Sequence, residues 1–216
     1  TISGELDAAT LDISGDADID GTMEADAYTI GDAAFIKVAG TNFTGSLLVG
    51  HSTTGTLDAA QYNTGVGLTA LDAITSGDNN TAVGGVAASG ITTSSSNTMI
   101  GHNSAPNIAT GNGFNTFIGQ SAGYYSASGS YNTGVGARSL HSASGGTNHY
   151  NSGLGYNALV ALTTGGYNVA LGYASGDNIT SGSGNVVLGK ADVSSATGDD
   201  QLSISDGEDG SVVWMT

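Results

Sequence analysis

Apolar and polar positions follow a long-range order in this chain: one five-residue phrase returns ten times between Ser46 and Ser205. Its clearest copies are NTGVG from Asn63, NTAVG from Asn80, NTMIG from Asn97, NTFIG from Asn115 and NTGVG from Asn132. It continues as NSGLG from Asn151, NVALG from Asn168 and NVVLG from Asn185, with looser copies SLLVG from Ser46 and QLSIS from Gln201. Successive starts lie 17, 17, 17, 18, 17, 19, 17, 17 and 16 residues apart. A fixed period of this length predicts a solenoid, in which each repeat is one supersecondary unit stacked on its neighbours.

The columns of the repeat specify its local structure. The fourth position is always aliphatic: Val49, Val66, Val83, Ile100, Ile118, Val135, Leu154, Leu171, Leu188 and Ile204. The second runs Leu47, Thr64, Thr81, Thr98, Thr116, Thr133, Ser152, Val169, Val186 and Leu202. In an extended strand these two positions share a face, because side chains alternate with period two. The fifth is glycine from Gly50 to Gly189, replaced only by Ser205. A glycine column in strand context marks a bend or the close approach of another backbone. Three residues further on come small residues at Ala70, Ala87, Ser104, Ala122, Ser139, Ala158 and Ser175, with Leu71, Leu140 and Leu159 beside them. This weaker run predicts a second short strand per repeat, joined to the first by turn phrases such as TSGDN, SASGS and TTGGY. Coils of this length have no room for a helix, so the chain reads as all-β.

The same residues carry a resemblance. The NTAVG-type phrase, followed by a small residue and often Leu, resembles the head repeats of trimeric autotransporter adhesins. It is more similar still to the NTAVGYNAL-type arrays of marine phage tail fibres, and Asn151 to Leu159 reads NSGLGYNAL. The resemblance covers about three quarters of the chain. It implies a left-handed parallel β-roll, three chains side by side, with the aliphatic fourth-position column turned to the threefold axis as the trimer core. Bacterial adhesin heads typically use shorter repeats, so the longer period here favours the phage type. Catalysis is not implied.

Ahead of the array, residues 11 to 27 alternate almost perfectly. Leu11, Ile13, Gly15, Ala17, Ile19, Gly21, Met23, Ala25 and Ala27 are apolar or small, and polar residues stand between them. Period two over this length predicts strands with one wet face, broken at the glycines. One copy has little apolar surface for a core, whereas three about an axis would form a β-prism-like shaft. We therefore divide the chain into an acidic shaft and transition (1–45), a β-roll array (46–205) and a C-terminal strand leading onward (206–216). Phe35, Ile36 and Val38 are expected to bury a short plug in the transition.

Composition narrows the class. Thirty-six glycines, one proline and only 10% charged residues do not describe an ordinary globular domain. The periodic apolar residues do not describe disorder either. No apolar run approaches the length that spans a bilayer. The sequence contains no cysteine, which excludes disulfides and thiolate metal sites. It begins at Thr1 without a basic leader, and we expect it to be a piece of a longer protein. The net charge is −16, from 19 acidic and 3 basic residues; nine acids fall in the first 40 residues and none between 79 and 176. This distribution argues against nucleic-acid binding, which needs a Lys/Arg footprint, and against simple electrostatic adhesion to anionic membranes.

Candidate chemistry is sparse. DADIDG at Asp16 resembles the opening of a calcium loop, but a twelve-residue loop counted from there would need its bidentate acid at Ala27. We read it as a solvated carboxylate face. His51, His102, His141 and His149 share no chelating spacing, so neither a metal nor a cofactor is expected. The threonine column could suggest an ice-binding ladder, yet it shares a face with the aliphatics and is assigned an inward or axial structural role. Tyr62, Phe114, Tyr131, Tyr150 and Tyr167 each precede the repeat Asn or its equivalent, while Tyr156 and Tyr173 follow the repeat Gly. Their expected role is packing between coils and chains, with Tyr156 and Tyr173 the candidate contacts for a host-surface glycan. No nucleophile–base pair is evident. Asp177, Asp192, Asp199 and Asp200 are the only acids in the second half of the array that could pair as in a glycosidase, and turn or end-cap roles suit them better.

The expectation is a non-enzymatic virion fibre: a rigid trimeric rod in host attachment, joined to other fibre or baseplate proteins. The alternative is a bacterial surface adhesin head or extracellular filament. Near-uniform repeat intervals favour a shaft over a receptor-binding tip.

Overall fold

A computed structural model describes residues 28–30, 33–38, 42–50, 54–108, 113–126, 128–142, 148–206, 208 and 212–215, with only the backbone described for 28–30, 33–38 and 213. The alternating segment up to Ala27, including DADIDG, lies outside the described residues, as do the side chains of the proposed plug. Among the described residues there is no helix.

Thirteen strands lie in one sheet in strict chain order. β1 (Tyr28–Ile30) and β2 (Ala33–Val38) form an antiparallel pair that docks antiparallel on β3 (Leu47–Val49). From there the sheet is parallel through β4 (Thr64–Val66), β5 (Thr81–Val83), β6 (Thr98–Ile100), β7 (Thr116–Ile118) and β8 (Thr133–Val135). It continues through β9 (Ser152–Leu154), β10 (Val169–Leu171), β11 (Val186–Leu188) and β12 (Leu202–Ser205). β13 (Val213–Met215) closes the far edge antiparallel to β12. Each repeat contributes one strand, so the chain is a parallel β-solenoid of about nine turns. Both open edges of the parallel array are covered by antiparallel strands, which removes the free ladder that invites edge-to-edge association there. Coils are numbered 1 to 10 below from Ser46, Asn63, Asn80, Asn97, Asn115, Asn132, Asn151, Asn168, Asn185 and Gln201.

The second strand expected in each repeat is replaced by a wall of turns. The seventh and ninth positions of the coil are left-handed: Thr69 and Leu71 both have φ of 58°, Val86 and Ala88 have 63° and 52°, and Arg138 and Leu140 have 57° and 50°. Left-handed backbone at every other residue is incompatible with an extended strand. These turns still stack by hydrogen bonds, such as Ala88 N–H to Ser104 O at 2.9 Å and Leu140 N–H to Ala158 O at 2.9 Å. A left-handed L-residue costs about 1–2 kcal/mol. The coil-to-coil hydrogen bonds offset that cost.

The fifth-position glycines have φ near 130° in mid-array, a region that L side chains rarely adopt. A Cβ on Gly84 would also stand 2.6 Å from the carbonyl oxygen of Gly101 in the next coil. Bend and close approach are both present.

The interior is built by the third position of the repeat, flanked by two outward ones. Leu48, Ala82, Met99, Phe117, Ala170 and Val187 are buried on the sheet side. Across from them the turn wall supplies Ala70, Leu71, Ile74, Ala105, Leu140 and Leu159, also buried. Sizes are exchanged within a coil: Gly65 accompanies Leu71, Met99 accompanies Ala105, Phe117 accompanies Gly123, and Gly134 accompanies Leu140. A Cβ on Gly123 would lie 2.6 Å from Phe117, and one on Gly134 in the next coil 2.8 Å from the same ring. Where serine replaces alanine on the turn wall its hydroxyl is satisfied, as Ser104 Oγ donates to Phe117 O and Ser139 Oγ to Gly153 O, each at 2.9 Å.

A buried asparagine column runs beside this apolar strip. Asn151 donates from its backbone N and from Nδ2 to Asn132 Oδ1 at 3.0 and 3.2 Å. Asn132 does the same to Asn115 Oδ1 at 3.0 and 3.2 Å, and its Nδ2 also donates to Asn148 O at 2.9 Å. The pattern links Asn63, Asn80, Asn97, Asn115, Asn132, Asn151, Asn168 and Asn185. At the first coil Ser46 Oγ accepts from Asn63 N–H at 2.8 Å, and at the last Gln201 donates from N and Nε2 to Asn185 Oδ1 at 2.9 and 3.1 Å. The looser end copies therefore continue the same ladder.

Two stability outcomes follow. Asn132→Ala removes the shared acceptor of the Asn151 N–H and Nδ2, and each buried unsatisfied donor costs about 1–3 kcal/mol. Thermal denaturation should show a clear loss, with Asn132→Ser falling less because a hydroxyl already serves at Ser46; equal melting temperatures would refute the ladder. Gly123→Leu should be destabilising by at least about 1–3 kcal/mol from overpacking against Phe117. Adding Phe117→Gly to it reproduces the Gly134/Leu140 arrangement of the next coil and should restore most of the loss; failure of that rescue would show that sizes are not exchanged within the coil.

Candidate functional site

With the third position turned inward, the second and fourth positions face out of the sheet. None of the ten fourth-position residues is buried; Val83 is 36% exposed and Leu154 49%. The threonine column stands beside them, Thr64, Thr81, Thr98 and Thr116 half-buried and Thr133 exposed. The second and fourth positions carry no charged residue in any of the ten coils. Between coils 6 and 8 the face dips into a shallow apolar trough lined by Thr133, Val135, Ser152, Leu154, Val169 and Leu171. The candidate site is thus a flat apolar stripe ten coils long, and the aliphatic column read from the sequence forms its spine.

Aromatic columns border this stripe. Each residue before the repeat Asn is left-handed, including Tyr62 (56°), Phe114 (61°), Tyr131 (59°), Tyr150 (59°) and Tyr167 (59°). Phe114 stacks on Tyr131 with centroids 5.0 Å apart, Tyr131 on Tyr150 at 4.9 Å and Tyr150 on Tyr167 at 4.9 Å, all within 8° of parallel. On the other border Tyr156 stacks on Tyr173 at 5.5 Å, and Lys190 Nζ stands 5.7 Å from the Tyr173 centroid. The expected packing between coils is present. A sugar platform needs an open ring face, and Tyr173 has Tyr156 on one side and the Lys190 ammonium near its ring.

The remaining polar candidates are scattered. His102 follows the repeat Gly of coil 4, and His149 Nδ1 accepts from Ser130 N–H at 3.1 Å. His141 stacks on Tyr124 at 5.3 Å and meets Tyr125 edge-on. Burial, and then the Arg138 guanidinium, push its pKa below the ordinary imidazole value, against a backbone hydrogen bond at Ser142. His51 lies outside the described residues. Among the described residues no three His, Asp or Glu side chains gather as a metal set, and no helix is long and apolar enough to cross a membrane.

Of the four acids, Asp177 has its pKa raised from 3.8 to about 6. Burial is the main cause, followed by a hydrogen bond to Asp192 and the charge of that neighbour, while Lys190 opposes. Asp192 also accepts from Asn178 N–H, and Asp199 accepts from Ser183 N–H, as turn residues do. Glycosidases hold their carboxyls about 5 Å or more apart to admit the sugar, and directly bonded carboxyls leave no such gap.

The buried asparagines and the third-position core are the residues that sequence reasoning passed over. The signal was there, since Asn opens eight of the ten copies and large third positions accompany small ninth positions. Comparison with family models, curated proteins and solved structures finds no match to this chain.

Asp177 gives a pH outcome. Its folded pKa lies above its unfolded one, so the folded state holds more protons between about pH 4 and 6 and loses stability as pH rises through that window. Asp177→Asn removes the penalty. Its melting temperature should exceed that of the native chain at pH 7 and converge with it near pH 4; a constant difference across that range would count against the pairing with Asp192.

Proposed function

We propose that the array is the shaft of a homotrimeric fibre in which three parallel rolls pack sheet face to sheet face. The favoured setting is a virion tail fibre that holds a host-recognition element away from the particle. The observation that carries this reading is the outward aliphatic column. A chain that stayed alone in water would present an unbroken apolar stripe along its whole array, and such stripes mark interaction sites. A threefold axis beside the stripe buries all ten aliphatics at once and places identical residues at identical heights.

The motif resemblance supports the virion setting, and the architecture suits a spacer. Parallel coils rise about 4.8 Å each, so ten of them span on the order of 50 Å. Every coil is hydrogen-bonded to the next at strand, asparagine and turn wall, which resists bending. The uncharged face lets the rolls associate without burying unpaired ions.

Light scattering on the full chain should give three times the chain mass at micromolar concentration. Val83→Asp would set three carboxylates around the axis, each costing several kcal/mol to bury unpaired. It should yield monomers or assemble only at acidic pH. A folded native monomer, or a Val83→Asp rod of normal mass and melting temperature, would overturn the trimer. Antibodies to the coils should decorate the tail appendages of a virion; labelling of a bacterial surface instead would transfer the rod to an adhesin.

A further inference from the structure

The two borders of the sheet face are matched to each other in five of the seven coils from 2 to 8. One border is the residue before the repeat Asn, the other the residue after the repeat Gly. Coil 2 carries Tyr62 on the first and Leu68 on the second, 60% and 68% exposed. Coil 7 carries Tyr150 and Tyr156, and coil 8 carries Tyr167 and Tyr173, all exposed. Coil 3 instead has Asn79 and Gly85, and coil 4 has Ser96 and His102. In these five coils the two borders are large together or polar or small together, while coils 5 and 6 set Phe114 and Tyr131 opposite Gln120 and Ala137. From coil 2 to coil 8 neither border carries an acid, a lysine or an arginine.

Packing within one chain does not account for this match. The two border residues of a coil are six positions apart, on opposite sides of a three-residue strand, a separation on the order of 15 Å. Their rings stack along the solenoid on their own columns and do not meet across it. A threefold rotation parallel to the solenoid does bring them together. It lays one border of a protomer against the opposite border of its neighbour, and because it has no translation along the axis it keeps each coil level with the same coil.

We propose that each junction between protomers is a heterologous aromatic seam, with Tyr62 against the partner's Leu68, Tyr150 against the partner's Tyr156 and Tyr167 against the partner's Tyr173. This rests on the trimeric reading above and specifies which surfaces meet, in which direction and at what register. The axial aliphatics form the centre of the assembly; the seam closes its three outer grooves with aromatic side chains, the residue type that anchors interfaces. In coils 5 and 6 the second border is Gln120 and Ala137, so there Phe114 and Tyr131 seat against an aliphatic stem and a methyl group.

Cysteine pairs test the seam directly, since the native chain has no thiol of its own. Tyr150→Cys with Tyr156→Cys should give a covalent trimer on treatment with a short bis-maleimide, read on a denaturing gel. Each single variant should stay at the mass of one chain, because three copies of one residue lie on three different junctions. Tyr62→Cys with Leu68→Cys provides an independent pair at the other end of the array should the first assemble poorly. Tyr150→Cys with Leu68→Cys, five coils out of register, should not link. Trimers by light scattering without a covalent product from either in-register pair would overturn the seam and leave the trimer standing. Covalent dimers from a single variant would also overturn it, by showing a twofold junction. A monomeric native chain would remove both proposals together.

Discussion

The buried asparagine ladder is the constraint on which the rest depends. Each carboxamide oxygen accepts two hydrogen bonds from the coil above, and each Nδ2 holds the coil below and a turn carbonyl beside it. A buried polar column of this kind is costly unless complete. Completeness requires that every coil place its Asn at the same height and angle, which sets the register of the strand that follows it. The three-residue strands are too short to hold a register alone. With Asn in place, the next residues point out, in and out, and Gly then turns the chain under its neighbour.

Much of the architecture is legible in the residues, though not all for the same reason. The period announces a solenoid, and the alternation around Val83 or Ile118 shows which residues share a face. What pattern alone leaves open is which face is inside. An invariant aliphatic column invites the answer that it is the core, while the true interior runs Gly65, Ala82, Met99, Phe117, Gly134 and looks random. It looks random because its extreme members are fitted to partners on the opposite wall, Phe117 to Gly123 and Gly65 and Gly134 to Leu71 and Leu140. The second strand failed for a related reason: Ala70 and Leu71 suggest alternation, and left-handed backbone at Thr69 and Leu71 is invisible in their side-chain types.

Inside and outside thus obey different kinds of uniformity. The interior needs only that the two walls fit one another locally, which many residue pairs satisfy. The outer face shows constant chemistry per coil, with branched aliphatics at the fourth position throughout. A surface exposed only to water has no reason to repeat one aliphatic class ten times, whereas a surface that meets its own symmetry mates does. The borders add a second tier, in which residue size varies in step on both sides in coils 2, 3, 4, 7 and 8.

The ladder also makes rod length a modular quantity. Its terminal residues differ from its interior ones: Ser46 Oγ accepts from the next coil and donates to Thr44 O, and Gln201 folds its Oε1 back onto Ser194 and Ser195. Between these caps every junction is Asn to Asn, so a whole coil can be excised or duplicated and the same chemical joint re-formed. Loss of coil 6 would set Gly153 where Gly134 stands above Phe117, glycine for glycine. Unequal recombination within the gene is then a route to solenoids graded in length by one strand spacing at a time, with both caps of the ladder already in place.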